Sequence, residues 1–204
     1  MATSTVQRLD LGRQAVVLAA VAAVPVAFWT GSLDVFQLSK ATLLVVAAAA
    51  LVVIGAVRVA VTGALAVPWG WTPASAAGFA VAVVIAAVGS DDRTVALLGT
   101  YGRWIGAVLY LACALLFLVV VRTFRERGVD RLLVAMLAGL TCVVAYALAQ
   151  HAGIDPIDWD GLLSDGVFAS MGNPNFAAAA MAVAAPLACR WALDPRADGL
   201  VRGG

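Results

Sequence analysis

Six long apolar runs divide this sequence, and their lengths constrain the fold more than any other feature. Each run is close to the roughly 20 residues that a helix needs to cross the hydrocarbon core of a bilayer. Asp, Glu, Lys and Arg are absent from the middle of every run, as expected where a central charge costs at least about 2.5–3.5 kcal/mol. We therefore predict helices over residues 14–30, 41–62, 73–89, 104–121, 131–149 and 175–192.

The composition supports a membrane environment for these runs. Of the residues, 63% are hydrophobic and 12% are charged, whereas an average soluble domain has roughly 45–50% apolar and about 25% charged residues. A soluble chain of this size buries only about 70% of its unfolded surface, so it would leave apolar runs facing water. The sequence predicts an all-α, polytopic membrane helix bundle that forms a single transmembrane domain over residues 1–204.

The basic residues predict the orientation of this bundle. If the N-terminus is cytoplasmic, the opposite side keeps only Lys40, Arg93 and Arg103. Such a bias is typical of multi-pass proteins of the inner (cytoplasmic) membrane, with both termini on the cytoplasmic side here. The tryptophans lie near run ends or in connections, as expected for rings that favour the headgroup layer. The cytoplasmic side would carry Arg8, Arg13, Arg58, Arg122, Arg125, Arg127, Arg131, Arg190, Arg196 and Arg202.

Several classes of function are not expected. The net charge of +1 gives no concentrated basic face for nucleic acid. The three cysteines lie in three different apolar runs, and His151 is the only histidine, so we predict no metal site, disulfide or cofactor. His151 has the reference pKa of a general base, although a lone histidine at a helix end more often hydrogen-bonds locally. The outer carboxylates are most simply solvated loop residues or turn formers: Asp155, Asp158, Asp160 and Asp165.

The cations on the outer side are candidate binding residues. Arg103 precedes the fourth helix, either as an interfacial anchor or as a guanidinium clamp for a lipid-linked pyrophosphate, whose oxygens match its planar donors. Its neighbours Gly102 and Gly106 form a GxxxG pair, which more often indicates helix packing. Lys40 opens the second helix, either as an ordinary snorkelling lysine or as part of a small basic cluster with Arg93 and Arg103.

A second candidate feature is the segment that leads into the last helix. Asn173 is expected to cap that helix, with Pro174 in its first position and Gly172 in the preceding turn. Alternatively, the amides of Asn173 and Asn175, beside the free backbone donors of a helix N-terminus, bind a sugar hydroxyl or a phosphate oxygen.

Three stretches carry a resemblance to a known family. They are Phe36 to Lys40, the Gly-Thr-Tyr-Gly-Arg-Trp-Ile-Gly sequence at 99–106 and the Phe-Ala-Ser-Met-Gly-Asn-Pro-Asn-Phe-Ala sequence at 168–177, of which the last is the most specific. On these residues the chain resembles the bacterial O-antigen ligase and O-antigen polymerase superfamily. The likeness covers nearly the whole chain but corresponds to the N-terminal half of the family.

The resemblance implies metal-independent transfer of a glycan from an undecaprenyl-pyrophosphate carrier on the periplasmic side. In the family, arginines hold the pyrophosphate, and a histidine in a large periplasmic loop after these spans assists the acceptor. That loop is missing from this chain, so the resemblance assigns no catalytic residue here, and catalysis by this chain alone is an open question. The candidate substrate-binding residues are Lys40, Arg93, Arg103, Asn173 and Asn175.

Three functional hypotheses stay open on the sequence. The first is an O-antigen ligase-like glycosyltransferase of cell-envelope polysaccharide assembly that binds membrane lipid and a lipid-linked saccharide. The second is a small-solute transporter, which the lack of ionisable residues within the spans disfavours. The third is a non-catalytic packing subunit of a split ligase, whose partner chain supplies the missing C-terminal half. The many alanines and glycines fit such helix packing equally well.

Overall fold

The computed structural model describes residues 2–65, 70–124, 127–159 and 166–193 of this chain. Within these ranges the protein contains seven α-helices, one 3-10 turn and no β-strand. The predicted all-α architecture is therefore confirmed. The helices are α1 (Ala2–Ala23), α2 (Gln37–Thr62), α3 (Trp71–Val88), α4 (Arg93–Leu98), α5 (Ala107–Thr123), α6 (Arg127–His151) and α7 (Pro174–Leu193), with the 3-10 turn at Ala169–Met171.

Four of the helices are long and apolar enough to cross a membrane. They are α2, α3, α7 and the Gly128–His151 portion of α6. The shortest of them has 18 residues, which lies within the range of about 17–25 that spans a bilayer. Helix α5 is equally apolar but has 17 residues, and α1 carries the charged residues Arg8, Asp10 and Arg13. The long apolar helices indicate a membrane protein.

The helix ends differ from the predicted ones where local hydrogen bonds or proline intervene. Helix α1 ends at Ala23, well before residue 30, because Pro25 has no N–H with which to continue the ladder. Helix α2 begins at Gln37, earlier than residue 41, because Asp34 Oδ1 accepts the Gln37 N–H at 2.9 Å. Asp92 is the N-cap of the unpredicted helix α4, with its Oδ1 3.0 Å from the Val95 nitrogen.

Helix α1 lies at the centre of the bundle and contacts α2, α5 and α6, while α3 packs on α5 and α7 packs on α6. One core cluster joins Val17, Leu51 and Phe124. Gly139 of α6 faces the backbone of Ala22 so closely that a Cβ atom would collide with the Ala22 carbonyl. Glycine is therefore required where α1 and α6 cross.

The two ends of the bundle differ in chemistry. At one end, Arg13 and Arg58 each lie 3.4 Å from the same carboxylate oxygen of Asp10, which links α1 to α2. At the other end, segments 24–36, 99–106, 152–159 and 166–173 meet through hydrogen bonds, ring contacts and a shared pocket. We call this end the loop face, and it contains the candidate site.

Candidate functional site

Lys40 fastens two segments of the loop face to each other. Its ammonium donates one hydrogen bond to the Ala27 carbonyl and another to the Ser170 carbonyl, both at 2.6 Å. Ser170 is 2% exposed, and its hydroxyl donates to the Pro25 carbonyl at 2.7 Å. A snorkelling lysine would extend its ammonium to water, whereas Lys40 directs two of its three donors at backbone oxygens. It is a half-buried connector of the loop face.

Five aromatic rings form a cluster on the loop face, and the Lys40 ammonium lies 5.8 Å from the centroid of one of them, Phe36. Phe36 stacks against Trp159 with ring centroids 5.6 Å apart, and Trp159 meets Phe168 edge to face at 5.2 Å. The ring of Phe36 also occupies the position that a Cβ atom on Gly172 would need. Gly172 has a φ of 73°, which favours glycine independently. The remaining rings of this cluster are Phe28 and Tyr146, which stack at 5.8 Å.

Asp155 is the polar centre of the cluster. Its carboxylate accepts hydrogen bonds from the Tyr146 hydroxyl at 3.0 Å, the Gln150 amide at 2.8 Å and the Trp159 indole at 2.9 Å. The Ile157 N–H donates a fourth at 3.0 Å. Burial opposes ionisation of this group, but the four donors outweigh burial and hold the pKa of Asp155 below its usual value.

The bond to the Ile157 N–H confirms the interpretation of Asp155 as a turn former. The carboxylate is partly exposed and is also held by three side-chain donors. Asp158 is exposed. Asp160 and Asp165 lie outside the described residues. Gln150 extends the network, because its Oε1 accepts the Ala169 N–H at 2.7 Å. The network thereby attaches the end of α6 to the turn before α7.

Two cavities matter for the site, one at the loop face and one on the side of the bundle. The ring pocket, about 240 Å³, is lined by Leu33–Phe36, Tyr101, Gly102 and Trp159. The apolar groove, about 280 Å³, lies between α2 side chains from Leu38 to Val46 and a wall that includes Leu97, Trp104 and Val108. The chain therefore passes from the ring pocket to the apolar groove twice, between residues 36 and 38 and between residues 102 and 104.

Arg103 lies at the second of these crossings. Its flanking residues line different cavities, Gly102 the ring pocket and Trp104 the apolar groove. Its side chain is exposed. Arg93, also exposed, is the first residue of α4 and lines neither cavity. The three cations therefore differ in their surroundings. Lys40 is bound to backbone carbonyls, Arg103 lies between the two cavities, and Arg93 lines neither cavity.

The structure of the turn at 99–106 contradicts the interpretation of Gly102 and Gly106 as a helix-packing pair. Gly102 belongs to this turn with a φ of 84°, and α5 begins only at Ala107. A Cβ atom on Gly106 would collide with the backbone of Leu97 and Gly99 at the end of α4. Gly102 and Gly106 therefore do not form a helix-packing pair; they allow a tight turn. Within this turn, Trp104 has a φ of 52°, and its indole N–H is buried without a partner among the described residues.

The asparagines before α7 take the capping arrangement. Asn173 Oδ1 accepts the Asn175 N–H at 2.8 Å, and α7 begins at Pro174. The predicted cap is confirmed. Both asparagine side chains are exposed, and so is His151 at the last position of α6. In the described ranges, no group of three His, Cys, Asp or Glu side chains is placed to hold a metal ion.

The sequence pattern contains a signal for part of the polar network that was missed. Tyr146 and Gln150 are four residues apart and therefore share one face of α6. Gln150 lies five residues before Asp155 in the sequence. Polar side chains at this spacing near a helix end indicate a common partner. The bond from Ala169 to Gln150 spans 19 residues, and no local pattern indicates it.

Comparisons with protein-family models, with curated proteins and with solved structures find no match to this chain. What the loop face can do is therefore inferred from its own chemistry. It combines an aromatic pocket with a carboxylate, an exposed guanidinium and an apolar groove, in that order. Such an arrangement suits an amphipathic ligand with a polar head and a hydrocarbon tail.

Proposed function

We propose that this protein is an O-antigen ligase-like membrane protein of cell-envelope polysaccharide assembly. It binds a glycan linked to undecaprenyl pyrophosphate at the periplasmic side of the inner membrane. The observation that carries the proposal is the position of Arg103, whose two neighbours line an aromatic pocket on one side and an apolar groove on the other.

The chemistry of each part matches one part of such a carrier. The apolar groove between α2 and α5 receives the first isoprene units, because burial of hydrocarbon there removes it from water. Arg103 binds the pyrophosphate, since a guanidinium forms bidentate, charge-assisted hydrogen bonds with phosphate oxygens. The ring pocket then faces the saccharide. Arg93, Asn173 and Asn175 are exposed on the same face and are proposed to contact more distant parts of the glycan.

We also propose six membrane crossings with both termini in the cytoplasm. The 17 residues of α5 reach the lower limit of about 17 for a span. The first crossing would combine the apolar part of α1 with residues 24–30. The end of the bundle that contains Arg13 and Arg58 would face the cytoplasm, in agreement with the excess of basic residues on that side.

Donor binding is the activity proposed for this chain, and transfer would need the periplasmic loop of the resembled family. His151 is exposed at the end of α6, apart from both cavities. We assign it no catalytic role. A partner chain or a further segment would supply the base for the acceptor hydroxyl.

A non-catalytic packing subunit is the second candidate function, and one observation favours it. A cavity of about 580 Å³ lies between α1, α5, α6 and α7, and its walls are apolar, with the accessible residues Cys113, Leu116, Ala179 and Val183 among them. A helix of a partner chain would fit such a surface. In that case the isolated chain would bind no carrier.

The test is a binding titration of the detergent-purified chain with an undecaprenyl-pyrophosphate saccharide, and with undecaprenyl phosphate that lacks sugar. We expect saturable binding of the first and weaker binding of the second. Arg103→Ala should weaken binding by about 1.5–3 kcal/mol, the usual contribution of a hydrogen bond to a charged group. Arg131→Ala is the matched control. It removes an exposed arginine near the start of α6, at the end of the bundle opposite the loop face.

Arg103→Lys separates a geometric role from a purely electrostatic one. Lysine keeps the positive charge but loses the planar fork of donors. If the guanidinium clamps the pyrophosphate, Arg103→Lys should lose part of the affinity. Unchanged binding by folded Arg103→Ala would reject the clamp.

A further inference from the structure

We propose that Arg13, Arg58 and Arg122 form a binding site for the headgroup phosphate of an anionic phospholipid, at the end of the bundle opposite the loop face. The three residues belong to α1, α2 and α5, and we call them the arginine cluster. None of them lines the ring pocket or the apolar groove. The inference is therefore independent of carrier binding on the loop face.

The three arginines are brought together by one carboxylate and by helix packing. Arg13 and Arg58 each lie 3.4 Å from the same oxygen of Asp10. Arg122 lies in the last turn of α5, and its charge and that of Arg58 both repel the charge of Arg13. Helix α5 packs on α2, and α1 contacts both of them. Three guanidinium groups from three neighbouring helices therefore converge on one small area.

The carboxylate of Asp10 does not balance the charge of this area. It carries a single negative charge, so it cannot neutralise Arg13 and Arg58 together. Its 3.4 Å distances also exceed the roughly 2.7–2.9 Å of a charge-assisted hydrogen bond. The side chains of Arg13 and Arg58 keep 20% and 30% of their surface exposed, and Arg122 is exposed. An anion can therefore reach all three residues from outside and reduce the repulsion between them.

Each arginine of the cluster lies at the boundary of an apolar helical segment. The apolar part of α1 begins after Arg13, Arg58 lies near the end of α2, and Arg122 lies near the end of α5. Arginines at the ends of membrane helices extend to the interface. The cluster is thus at the level of the lipid phosphates, and basic pockets between membrane helices bind anionic headgroups.

Exposed apolar side chains beside the cluster favour a lipid over a soluble phosphate. Val57 adjoins Arg58 and Val121 adjoins Arg122 in the sequence, and both valines are exposed. The first methylene groups of an acyl chain can pack on these side chains, while the guanidinium groups bind the phosphate oxygens. Inorganic phosphate offers only the second of these contacts.

The experiment is native mass spectrometry of the detergent-purified full chain titrated with lipid. The probes are phosphatidylglycerol, phosphatidylcholine with the same acyl chains, and inorganic phosphate as a competitor. We expect tighter binding of phosphatidylglycerol, because the cationic choline group is repelled by the arginines. Inorganic phosphate at the concentration of the lipid should not displace phosphatidylglycerol.

Two variants should shift this affinity in opposite directions. Arg122→Gln should weaken phosphatidylglycerol binding about fivefold, the effect of one basic residue near an anionic membrane surface. Asp10→Asn should tighten it, because the carboxylate that competes with the lipid for Arg13 and Arg58 is removed. Arg190→Gln is the matched control: it removes an exposed arginine from the last turn of α7, which packs on α6, and should bind as the wild-type protein does.

The opposite shifts distinguish lipid binding from a structural role of the cluster. If Asp10 served only to hold α1 and α2 together, Asp10→Asn would not tighten lipid binding. Equal affinities for the two lipids, or equal effects of Arg122→Gln and Arg190→Gln, would overturn the site. Displacement of phosphatidylglycerol by an equal concentration of inorganic phosphate would overturn its assignment to a lipid.

Discussion

The Lys40 ammonium lies 2.6 Å from the Ser170 carbonyl oxygen, although 130 residues separate the two in the sequence. The same ammonium donates to Ala27 at the end of the turn after α1. Lys40 is the only lysine of the chain, and its place at the start of α2 lets it reach both segments. The loop face thus depends on one cation bound to two backbone carbonyls.

Lys40→Met should destabilise the fold. Methionine keeps an unbranched apolar side chain but leaves both carbonyls without their donor. We expect a loss of about 1.5–3 kcal/mol or more in the free energy of unfolding, the range for a charged hydrogen bond. Thermal unfolding of the purified protein in detergent measures it. Arg93→Met, at an exposed cation of the same face, should stay within about 0.5 kcal/mol. Equal midpoints for the two variants would show that Lys40 does not hold the loop face together.

Gly172→Ala should cost more stability than Gly153→Ala. Both glycines have positive φ, at 73° and 71°, so both substitutions incur the left-handed backbone cost of about 1–2 kcal/mol. Only at Gly172 would the new Cβ collide with a ring, that of Phe36, whereas open space surrounds Gly153. The difference between their unfolding midpoints isolates the Phe36 contact. Identical midpoints would contradict that contact.

Asp155 should make the stability of the loop face sensitive to acid. Its hydrogen bonds hold its folded-state pKa below the usual value, which is about 3.9 for an unfolded aspartate. A lowered pKa contributes stability that is present above about pH 3.9 and is lost as pH falls through the folded-state value. Asp155→Asn removes this contribution, so we expect lower stability at pH 6 and a smaller further loss towards pH 3.

Thermal unfolding of wild type and Asp155→Asn at pH 6, 4 and 3 measures this dependence. Asp91→Asn, at an exposed carboxylate, is the control and should keep the pH dependence of the wild type. A wild-type-like slope in Asp155→Asn would show that the network around Asp155 does not respond to its charge.

The proposed orientation can be tested with single cysteines in a chain from which Cys113, Cys142 and Cys189 have been replaced. Thr94 in α4 and Thr5 in α1 are both exposed and lie at opposite ends of the bundle. If the loop face is periplasmic, a membrane-impermeant thiol reagent should modify Thr94→Cys in spheroplasts and Thr5→Cys only after lysis. Modification of Thr5→Cys in intact spheroplasts would contradict the cytoplasmic N-terminus.

The sequence predicts the helical architecture well because membrane spans are specified by local composition. The runs at 41–62 and 175–192 differ from α2 and α7 by only a few residues at their ends. The departures occur where single residues act on the backbone. Pro25 ends α1 early, Asp34 accepts the N–H of the first residue of α2, and Asp92 caps α4. Apolar periodicity indicates none of these contacts.

The candidate site could be predicted only in part, for a related reason. Asn173 and Pro174 act on adjacent residues, so their capping role follows from the local sequence. The partners of Lys40 are distant in the chain, and its bonds are to backbone carbonyls. Because every residue has a backbone carbonyl, the residue types of the partners give no signal in the sequence. The same is true of Gly172, whose contact with Phe36 depends on how α2 and the turn before α7 meet.

The most direct test of carrier binding beside Arg103 is photo-cross-linking. An undecaprenyl-pyrophosphate saccharide with a diazirine in its first isoprene units would be irradiated with the purified chain, and the modified peptides mapped by mass spectrometry. Binding in the apolar groove predicts adducts between Leu38 and Val46 and near Leu97, Trp104 and Val108, reduced in Arg103→Ala. Adducts concentrated instead in the 580 Å³ cavity, at Cys113, Leu116 and Val183, and unaffected by Arg103→Ala would contradict it.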